Sequence, residues 1–545
     1  MKKQISILIL SLFVLTACEK QLLRQNETIQ QRDAIESVTP NLLLSSVIQK
    51  SAFAYQAEGG VSNRSLAGAV QYMEGNRNSD DNIYKNFAKP NSDLYGIIAQ
   101  LKLVQAAIDD VHKKGLKNHE GIFLIFKSLL WSSITDLYGD IYYTEGLRGQ
   151  DGILFPKFDE QKNIYPALIQ NLRNATQLLT EGTEEIDPVY DILYNADKTK
   201  WIKFANSLRL RLLMRAVKNL PGAVASLDSV SKLPLMTDVT DNASIPYMAG
   251  DPSFAWPMGS SSMLFKENFM IMRPSKTLVD SLKVLNDDRL SIWCAPLEKP
   301  WTHDPAQNGV TVTTTGLDNF TYTSTYEYID LSNDKLQKQA YLIQDTETLY
   351  AGYPAGMYLD AYNANGSYDG SSTIWNYKIS TFSKLLNQDA NPLLKACMLQ
   401  ADEVQFLLAE ASVRGYYAGG DAEGLYKKGV ALALARWGRT IPGNYFNSAA
   451  AKYPASGTND QKLNKIGLQK WLGLFMMGVE AYSDLRRSGY PAILHNGHFN
   501  TNTYTFPLRF RYPDTEAVNN GVNYKAAVAK LDQGDTELSK MWLLQ

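Results

Sequence analysis

Apolar residues recur every three or four positions along most of this chain. In residues 92–113, Leu94, Leu101 and Ile108 fall on one face of a helix. A further helix is predicted to begin near Asn41, after Pro40. The same spacing predicts helices over 119–138, 164–179, 199–218, 402–413, 422–437 and 463–488, with a short one near 524–531. The pattern therefore predicts a mostly α-helical protein.

Several of these predicted helices follow one another after short loops. Antiparallel helices of this length, paired in this way, can bury one face against the next pair, as helical-repeat proteins do. Sequence similarity between the pairs is weak, so the helix lengths and short loops carry this inference. We expect a helical-repeat scaffold.

The pattern changes over residues 245–380, which are rich in Pro, Gly, Thr and Tyr. Only 276–285 and 334–344 have a helical period there, and the rest predicts loops with short strands. Binding residues are often carried on loops that a rigid scaffold positions. This irregular region is therefore expected to face a ligand.

The N-terminus has a different pattern, with Lys2 and Lys3 before an apolar run over 5–14 and then Cys18. The run is too short to span a bilayer, and small residues precede the cysteine. The segment resembles a bacterial lipoprotein signal, in which Cys18 would carry the lipid. We expect a signal peptide over 1–17, a flexible tether over 18–38 and a single α-helical domain over 39–545.

The composition and the motifs of the chain argue against several classes of function. The formal net charge of the 545-residue chain is -2, which argues against nucleic acid as a partner because phosphate binding needs clustered Lys and Arg. No GxSxG, HExxH or glycine-rich phosphate motif occurs. His495 and His498 lack an evident third metal ligand, and Cys294 and Cys397 are expected to be buried free thiols. No catalytic residue, metal or cofactor is predicted.

Aromatic residues are the candidates for ligand binding. The chain has 31 Tyr and 9 Trp but only 5 His. Tyr and Trp combine a flat apolar face with a polar edge, which suits stacking on sugar rings, although many of them pack helices. The candidate ligand-binding residues are Tyr72, Tyr84, Trp293, Trp301, Tyr322, Tyr326, Tyr358, Tyr362 and Trp375.

Paired carboxylates at a helix end could support acid–base chemistry, and Asp136 and Asp140 are such a pair. Arginines on the helix over 199–218 offer them ion-pair partners, which favours a structural role. Those arginines are Arg209, Arg211 and Arg215. A second network between helices is predicted for Glu480, Asp484, Arg486 and Arg487.

Six segments, taken in order, resemble one family. They are TDLYGDIYYTE (135–145), KWIKFANSLRLRLLMR (200–215), RPS (273–275) followed by Asp288 and Arg289, EVQFLLAEASVRG (403–415), GVEAYSDLRRSGYP (478–491), and a last set of Pro507, Arg509, Tyr512, Pro513, Glu516 and Asn519. The chain resembles the SusD/RagB-type outer-membrane lipoproteins of the Bacteroidetes.

The resemblance implies a mostly α fold, a TPR-like helical-repeat scaffold with a large irregular, loop-rich aromatic insertion. It implies non-catalytic capture of nutrient oligosaccharides and delivery to a SusC-like TonB-dependent transporter. The protein would be lipid-anchored in the outer membrane and would face the cell exterior, with the helical-repeat face against the transporter. Two alternatives stay open: capture of peptides in the same role, and a surface glycoside hydrolase.

Overall fold

The computed structural model describes residues 39–59, 64–75, 84–88, 94–251, 254–259, 272–330, 332, 347–354, 377–492 and 505–545. The predicted signal peptide, Cys18 and the tether lie outside these residues, as do the predicted helix over 334–344 and His495 and His498. The predicted division of the chain into signal, tether and one domain stays a prediction.

Fifteen α-helices occur within the described ranges. They are α1 (Pro40–Gly59), α2 (Arg64–Ala69), α3 (Leu94–Lys113), α4 (Lys117–Tyr138), α5 (Gln161–Glu181), α6 (Lys198–Ala216), α7 (Ala223–Val230), α8 (Lys276–Leu285), α9 (Arg289–Trp293), α10 (Ala401–Val413), α11 (Ala422–Ala435), α12 (Asn459–Gly473), α13 (Gly478–Ser488), α14 (Asp514–Asn519) and α15 (Gly521–Val528). The strands are β1 (Met73–Gly75), β2 (Ala243–Pro246), β3 (Met272–Pro274), β4 (Trp301–Thr302), β5 (Thr311–Thr315), β6 (Thr321–Thr325), β7 (Glu327–Tyr328) and β8 (Lys395–Leu399).

The first half is a row of long helices in which α3 packs on α4, α4 on α5 and α5 on α6. Local sequence fixes the ends of these helices. The Asp197 carboxylate accepts hydrogen bonds from the first amides of α6, which is a standard N-cap. Gly139 follows α4 at a φ of 82°, a conformation that glycine adopts without strain. The predicted mostly α, helical-repeat scaffold is confirmed.

The prediction of one helix over 463–488 is wrong, because α12 and α13 are separate helices. The chain leaves the helical path at 474–477, where Met476 has a φ of 67°. These four residues are apolar and buried, so the apolar pattern continues through the break. Because of this turn, α12 and α13 both pack against the core. The helices α10 and α11 also pack against it.

Short strands connect distant parts of the chain. β1 pairs with β3, and β2 pairs with β8, both antiparallel. In the irregular region, β5 and β6 form a hairpin of threonine-rich strands, and β4 pairs in parallel with β7. The predicted loops with short strands are confirmed here. None of the helices in the described ranges combines the length and the apolar content that crossing a membrane requires.

Candidate functional site

Two of the predicted aromatics belong to the core. Tyr72 and Trp293 are both 0% exposed. Tyr72 stacks on Trp471 with ring centroids 5.1 Å apart, and Trp293 stacks on Phe475 at 4.0 Å. Neither ring has surface on which a ligand could stack, so we remove both from the candidate set. Tyr358, Tyr362 and Trp375 lie outside the described residues.

Two others are nearly buried. Tyr84 is 6% exposed and its ring contacts Phe506 edge-on, with centroids 5.7 Å apart. Tyr322 is 8% exposed, and its hydroxyl donates to Asp318 while accepting from the Lys384 amide at 2.8 Å. The contacts of Tyr322 position the β5–β6 hairpin, and both rings have little free face.

Trp301 and Tyr326 are the described candidates that keep substantial surface. The parallel pairing of β4 with β7 sets Trp301 opposite Glu327, the residue after Tyr326, and Thr302 opposite Tyr328. Tyr328, which the sequence analysis missed, is 39% exposed. Because side chains alternate along a strand, Tyr328 lies on the opposite face of this strand pair from Trp301.

A lysine supports the ring of Trp301. The Lys378 Nζ lies 3.4 Å from the Trp301 ring centroid, a cation–π contact, and pairs with the Glu327 carboxylate. Glu327 also pairs with Lys299 at 3.3 Å, and the Lys299 Nζ lies 4.8 Å from the Tyr377 ring centroid. We call these five residues, Trp301, Glu327, Lys378, Lys299 and Tyr377, the Trp301 platform.

Burial affects the pKa values of the charged groups in the Trp301 platform. It lowers the pKa of Lys378 to about 8, although the Glu327 carboxylate opposes the shift. Burial alone would raise the pKa of Glu327, but its hydrogen bond and attraction to Lys378 outweigh burial and lower that pKa. Lys378 and Glu327 therefore form a charged pair at neutral pH, below the Trp301 ring.

A second carboxylate borders the Trp301 platform. The Glu347 amide donates to the Trp301 carbonyl at 3.0 Å, while its carboxylate accepts from the His303 amide at 2.6 Å and the Thr302 hydroxyl at 2.9 Å. The His303 hydrogen bond lowers the pKa of Glu347, so this exposed group stays ionised. The carboxylate is held by Thr302 and His303, the two residues after Trp301, and offers further acceptor positions near the Trp301 platform.

The Lys378 pKa gives a testable pH dependence. Because the folded protein binds this proton less tightly than the unfolded chain does, this group increases stability as the pH rises from about 8 toward 10.5. The same deprotonation removes the cation below Trp301. We expect the Trp301 fluorescence, taken as the difference between the wild type and Trp301→Phe, to titrate with a midpoint near pH 8. Lys378→Met should abolish this step; a step that survives in Lys378→Met would assign it to another group.

The two carboxylates considered for catalysis are held by an ion pair or by a hydrogen bond from the backbone. Asp136 is 0% exposed and pairs with Arg215, as predicted, so solvent does not reach it. Asp140 instead accepts from the Gln161 amide at 2.9 Å, at the start of α5. The predicted partner Arg209 lies near Arg173, and burial together with that like charge lowers its pKa to about 10. A carboxylate pair open to a substrate is not formed here.

The predicted network on α13 is confirmed for three of its four residues. Glu480 pairs with Arg215 and, at 3.2 Å, with Arg211. Arg487 pairs with Glu410 of α10 at 2.6 Å, and Asp484 pairs with Lys470 of α12 at 2.8 Å. Arg486 differs, because its guanidinium donates to backbone carbonyls, one of them that of Asp136 at 2.7 Å. In the described part of the chain, no group of three or more His, Cys, Asp and Glu is arranged to hold a metal ion.

Cys294 and Cys397 are buried free thiols, as predicted. Burial raises the pKa of both, which keeps them as unreactive thiols at neutral pH. We expect the folded chain lacking Cys18 to leave Ellman's reagent unreacted at pH 8, and the denatured chain to release two equivalents. A fast reaction of the folded protein would contradict this burial.

A shallow pocket lies where the N-terminus of α5 meets the C-terminal residues 540–545. Trp542 lines it, as do Lys162 and Lys530, which both pair with Glu160. Lys162 and Lys530 are thus already paired. Trp542 provides a partly exposed tryptophan outside the Trp301 platform against which Trp301 can be compared.

The chain is similar to known proteins over most of its length. A family model described as "Starch-binding associating with outer membrane" matches residues 32–513. Three solved structures cover nearly all of the chain. A SusD homologue from Bacteroides fragilis has a TM-score of 0.68 at 19% identity, covering 93% of this chain and 99% of its own. A SusD homologue from Bacteroides uniformis has a TM-score of 0.69 at 20% identity, covering 92% and 99%.

The third structure, of a chitin-binding protein, has a TM-score of 0.70 at 23% identity and covers 93% of this chain and 100% of its own. At these identities the likeness shows the fold alone, and it agrees with the predicted TPR-like scaffold. Comparison with curated proteins gives no match.

Proposed function

Because this chain belongs to the SusD-like family of starch-binding proteins that associate with the outer membrane, we propose that it captures nutrient oligosaccharides there without catalysis. It would then deliver them to a SusC-like TonB-dependent transporter. The observation that carries the proposal is the Trp301 platform, a partly exposed indole held from below by Lys378 and bordered by an ionised Glu347.

The proposed binding follows from the chemistry of these groups. The indole offers a flat apolar surface to the C–H face of a sugar ring, and Glu347 accepts hydrogen bonds from its hydroxyls. The proposed function consists of binding, transfer and release of the ligand, so no covalent bond is made or broken.

We also propose that Cys18 carries the lipid that anchors the protein. A tether of about twenty residues after it would let the folded part move relative to the membrane while staying attached to it. Each buried acyl methylene contributes about 0.8 kcal/mol to attachment. The ligand surface is proposed to face the cell exterior.

Electrophoresis of the soluble chain, beginning at Glu19, in native gels that each contain one polysaccharide tests the proposal. Starch and soluble chitin derivatives come first, because the family description and a solved relative indicate them. Retardation by a glycan supports capture and identifies its class. Absence of retardation by every glycan, together with binding to a peptide mixture, would contradict the proposal and favour peptide capture.

A further inference from the structure

Two arginines on neighbouring helices lie close together on the scaffold. At the start of α6, the Lys198 ammonium donates to the carbonyl of the residue after α5 at 2.8 Å, and further along the Thr176 hydroxyl of α5 donates to the Asn206 side chain of α6 at 3.5 Å. The two helices are therefore antiparallel, and the next turn brings Arg173 of α5 beside Arg209 of α6. The positive charge of Arg173 acts on Arg209, as this proximity requires.

Arg209 differs from the other two arginines in the second half of α6. Arg211 and Arg215 pair with buried carboxylates. Arg209 is 9% exposed, its buried Nε has no hydrogen-bond partner, and neither Arg209 nor Arg173 forms an ion pair within the described ranges. Burial and the charge of Arg173 both lower the pKa of Arg209, and no carboxylate opposes them. The described residues thus leave two neighbouring positive charges uncompensated.

Uncompensated guanidinium groups that lie side by side indicate a ligand of opposite charge. A guanidinium donates hydrogen bonds from a planar fork, which matches the oxygens of phosphate and carboxylate groups. Two such groups match a dianion better than a singly charged carboxylate, and a tetrahedral dianion has enough oxygens to accept from both forks. A bound dianion would also offset the repulsion between the two arginines.

We propose that Arg173 and Arg209 form a binding site for a tetrahedral dianion, which is either a free phosphate or sulfate ion or a phosphate group carried on a larger molecule. Arg173 is exposed and opens the site to solvent, while the burial of Arg209 fixes the second guanidinium in place. The Trp301 platform is built from other elements, so this inference does not rest on glycan capture.

Isothermal titration calorimetry of the full-length protein in an uncharged detergent tests the site. Sodium sulfate and sodium phosphate are titrated in a low-salt Tris buffer, with sodium chloride of equal ionic strength as the blank and sodium acetate as the monoanion. We expect saturable binding of one sulfate or phosphate per chain, and acetate should bind at least about tenfold more weakly. No saturable binding of either dianion, or equal binding of acetate, would overturn the proposal.

Variants of the two arginines assign the binding to this site. Arg173→Gln should bind sulfate at least about tenfold more weakly than the wild type, and so should Arg209→Gln if it folds. Arg148→Gln removes an exposed arginine that pairs with Asp151, and this matched control should bind as the wild type does. Equal affinities of Arg173→Gln and Arg148→Gln would reject the site.

Thermal unfolding without a dianion distinguishes a binding role of Arg173 from a structural one. Arg173→Gln should unfold at the same temperature as the wild type or a higher one, because it removes the repulsion on Arg209. A lower unfolding temperature would assign Arg173 a structural role and overturn the proposal.

The source of the anion is resolved by comparing inorganic phosphate with glucose 6-phosphate. Tighter binding of the sugar phosphate assigns a carried group, and tighter binding of inorganic phosphate assigns the free ion; either must depend on Arg173. Arg173→Gln should keep the glycan retardation of the wild type. Failure of the wild type to bind any glycan would reject the proposed function and leave the calorimetric result as it is.

Discussion

Substituting Arg211 with methionine is expected to lower the free energy of unfolding by about 3–5 kcal/mol. Arg211 is 2% exposed and donates two hydrogen bonds of 2.6 Å to Glu403, and it also pairs with Glu480 at 3.2 Å. Methionine of similar length fills the space but leaves two carboxylates buried near each other. The cost of an uncompensated buried charge therefore dominates over any loss of packing. Chemical denaturation of the two proteins measures the difference.

An exposed pair provides the control for Arg211. Lys232 pairs with Asp228 one turn away, at the surface near the end of α7. Ion pairs of this kind contribute little, because water already solvates both charges. Lys232→Met should leave the unfolding midpoint where it is. If Arg211→Met shifted it no more than Lys232→Met does, the buried network would not stabilise the scaffold.

The Trp301→Ala variant is expected to bind its glycan at least about tenfold more weakly, a loss of about 1.4 kcal/mol or more. An indole that stacks on a sugar contributes through buried apolar area and through its preferred geometry, and alanine removes both. Trp301→Phe keeps a ring on the platform and should retain part of the affinity. Affinity electrophoresis over a range of glycan concentrations gives the dissociation constants.

Trp542→Ala is the matched control for this prediction, since it removes a partly exposed tryptophan from another part of the scaffold. It should bind glycan as the wild type does, provided that its unfolding transition shows an intact fold. Equal losses in Trp301→Ala and Trp542→Ala would indicate a general effect on the protein. Equal affinity in all three proteins would place the ligand away from the Trp301 platform.

The helices could be predicted because the apolar period that indicates each helix lies within the residues of that helix. The apolar period over 92–113 gives α3 to within two residues, and α8 is predicted with its observed bounds. The break between α12 and α13 could not be predicted in this way. Residues 474–477 are all apolar, and only the left-handed backbone of Met476 shows that the chain turns there.

The candidate site could be predicted as a region but not as a set of residues. Trp293 and Trp301 are eight positions apart, yet one is in the core and the other is at the surface. The difference depends on Phe475, which covers Trp293, and on Lys378, which lies below Trp301. Both contacts join residues far apart in the sequence. One local signal was available, since Lys299 and Pro300 directly before Trp301 favour a surface position.

The buried ion pairs also constrain the order in which the chain can fold. Arg211 lies on α6, but Glu403, which neutralises it, follows 192 residues later, and Glu480 follows later still. Until the last third of the chain is present, the Arg211 guanidinium has no carboxylate partner and must stay in water, whereas Arg215 can already pair with Asp136. The N-terminal helices therefore cannot close their core early, and a fragment ending before residue 400 should remain open and sensitive to protease. Closure of the N-terminal core and arrival of the C-terminal helices are in this way tied to each other.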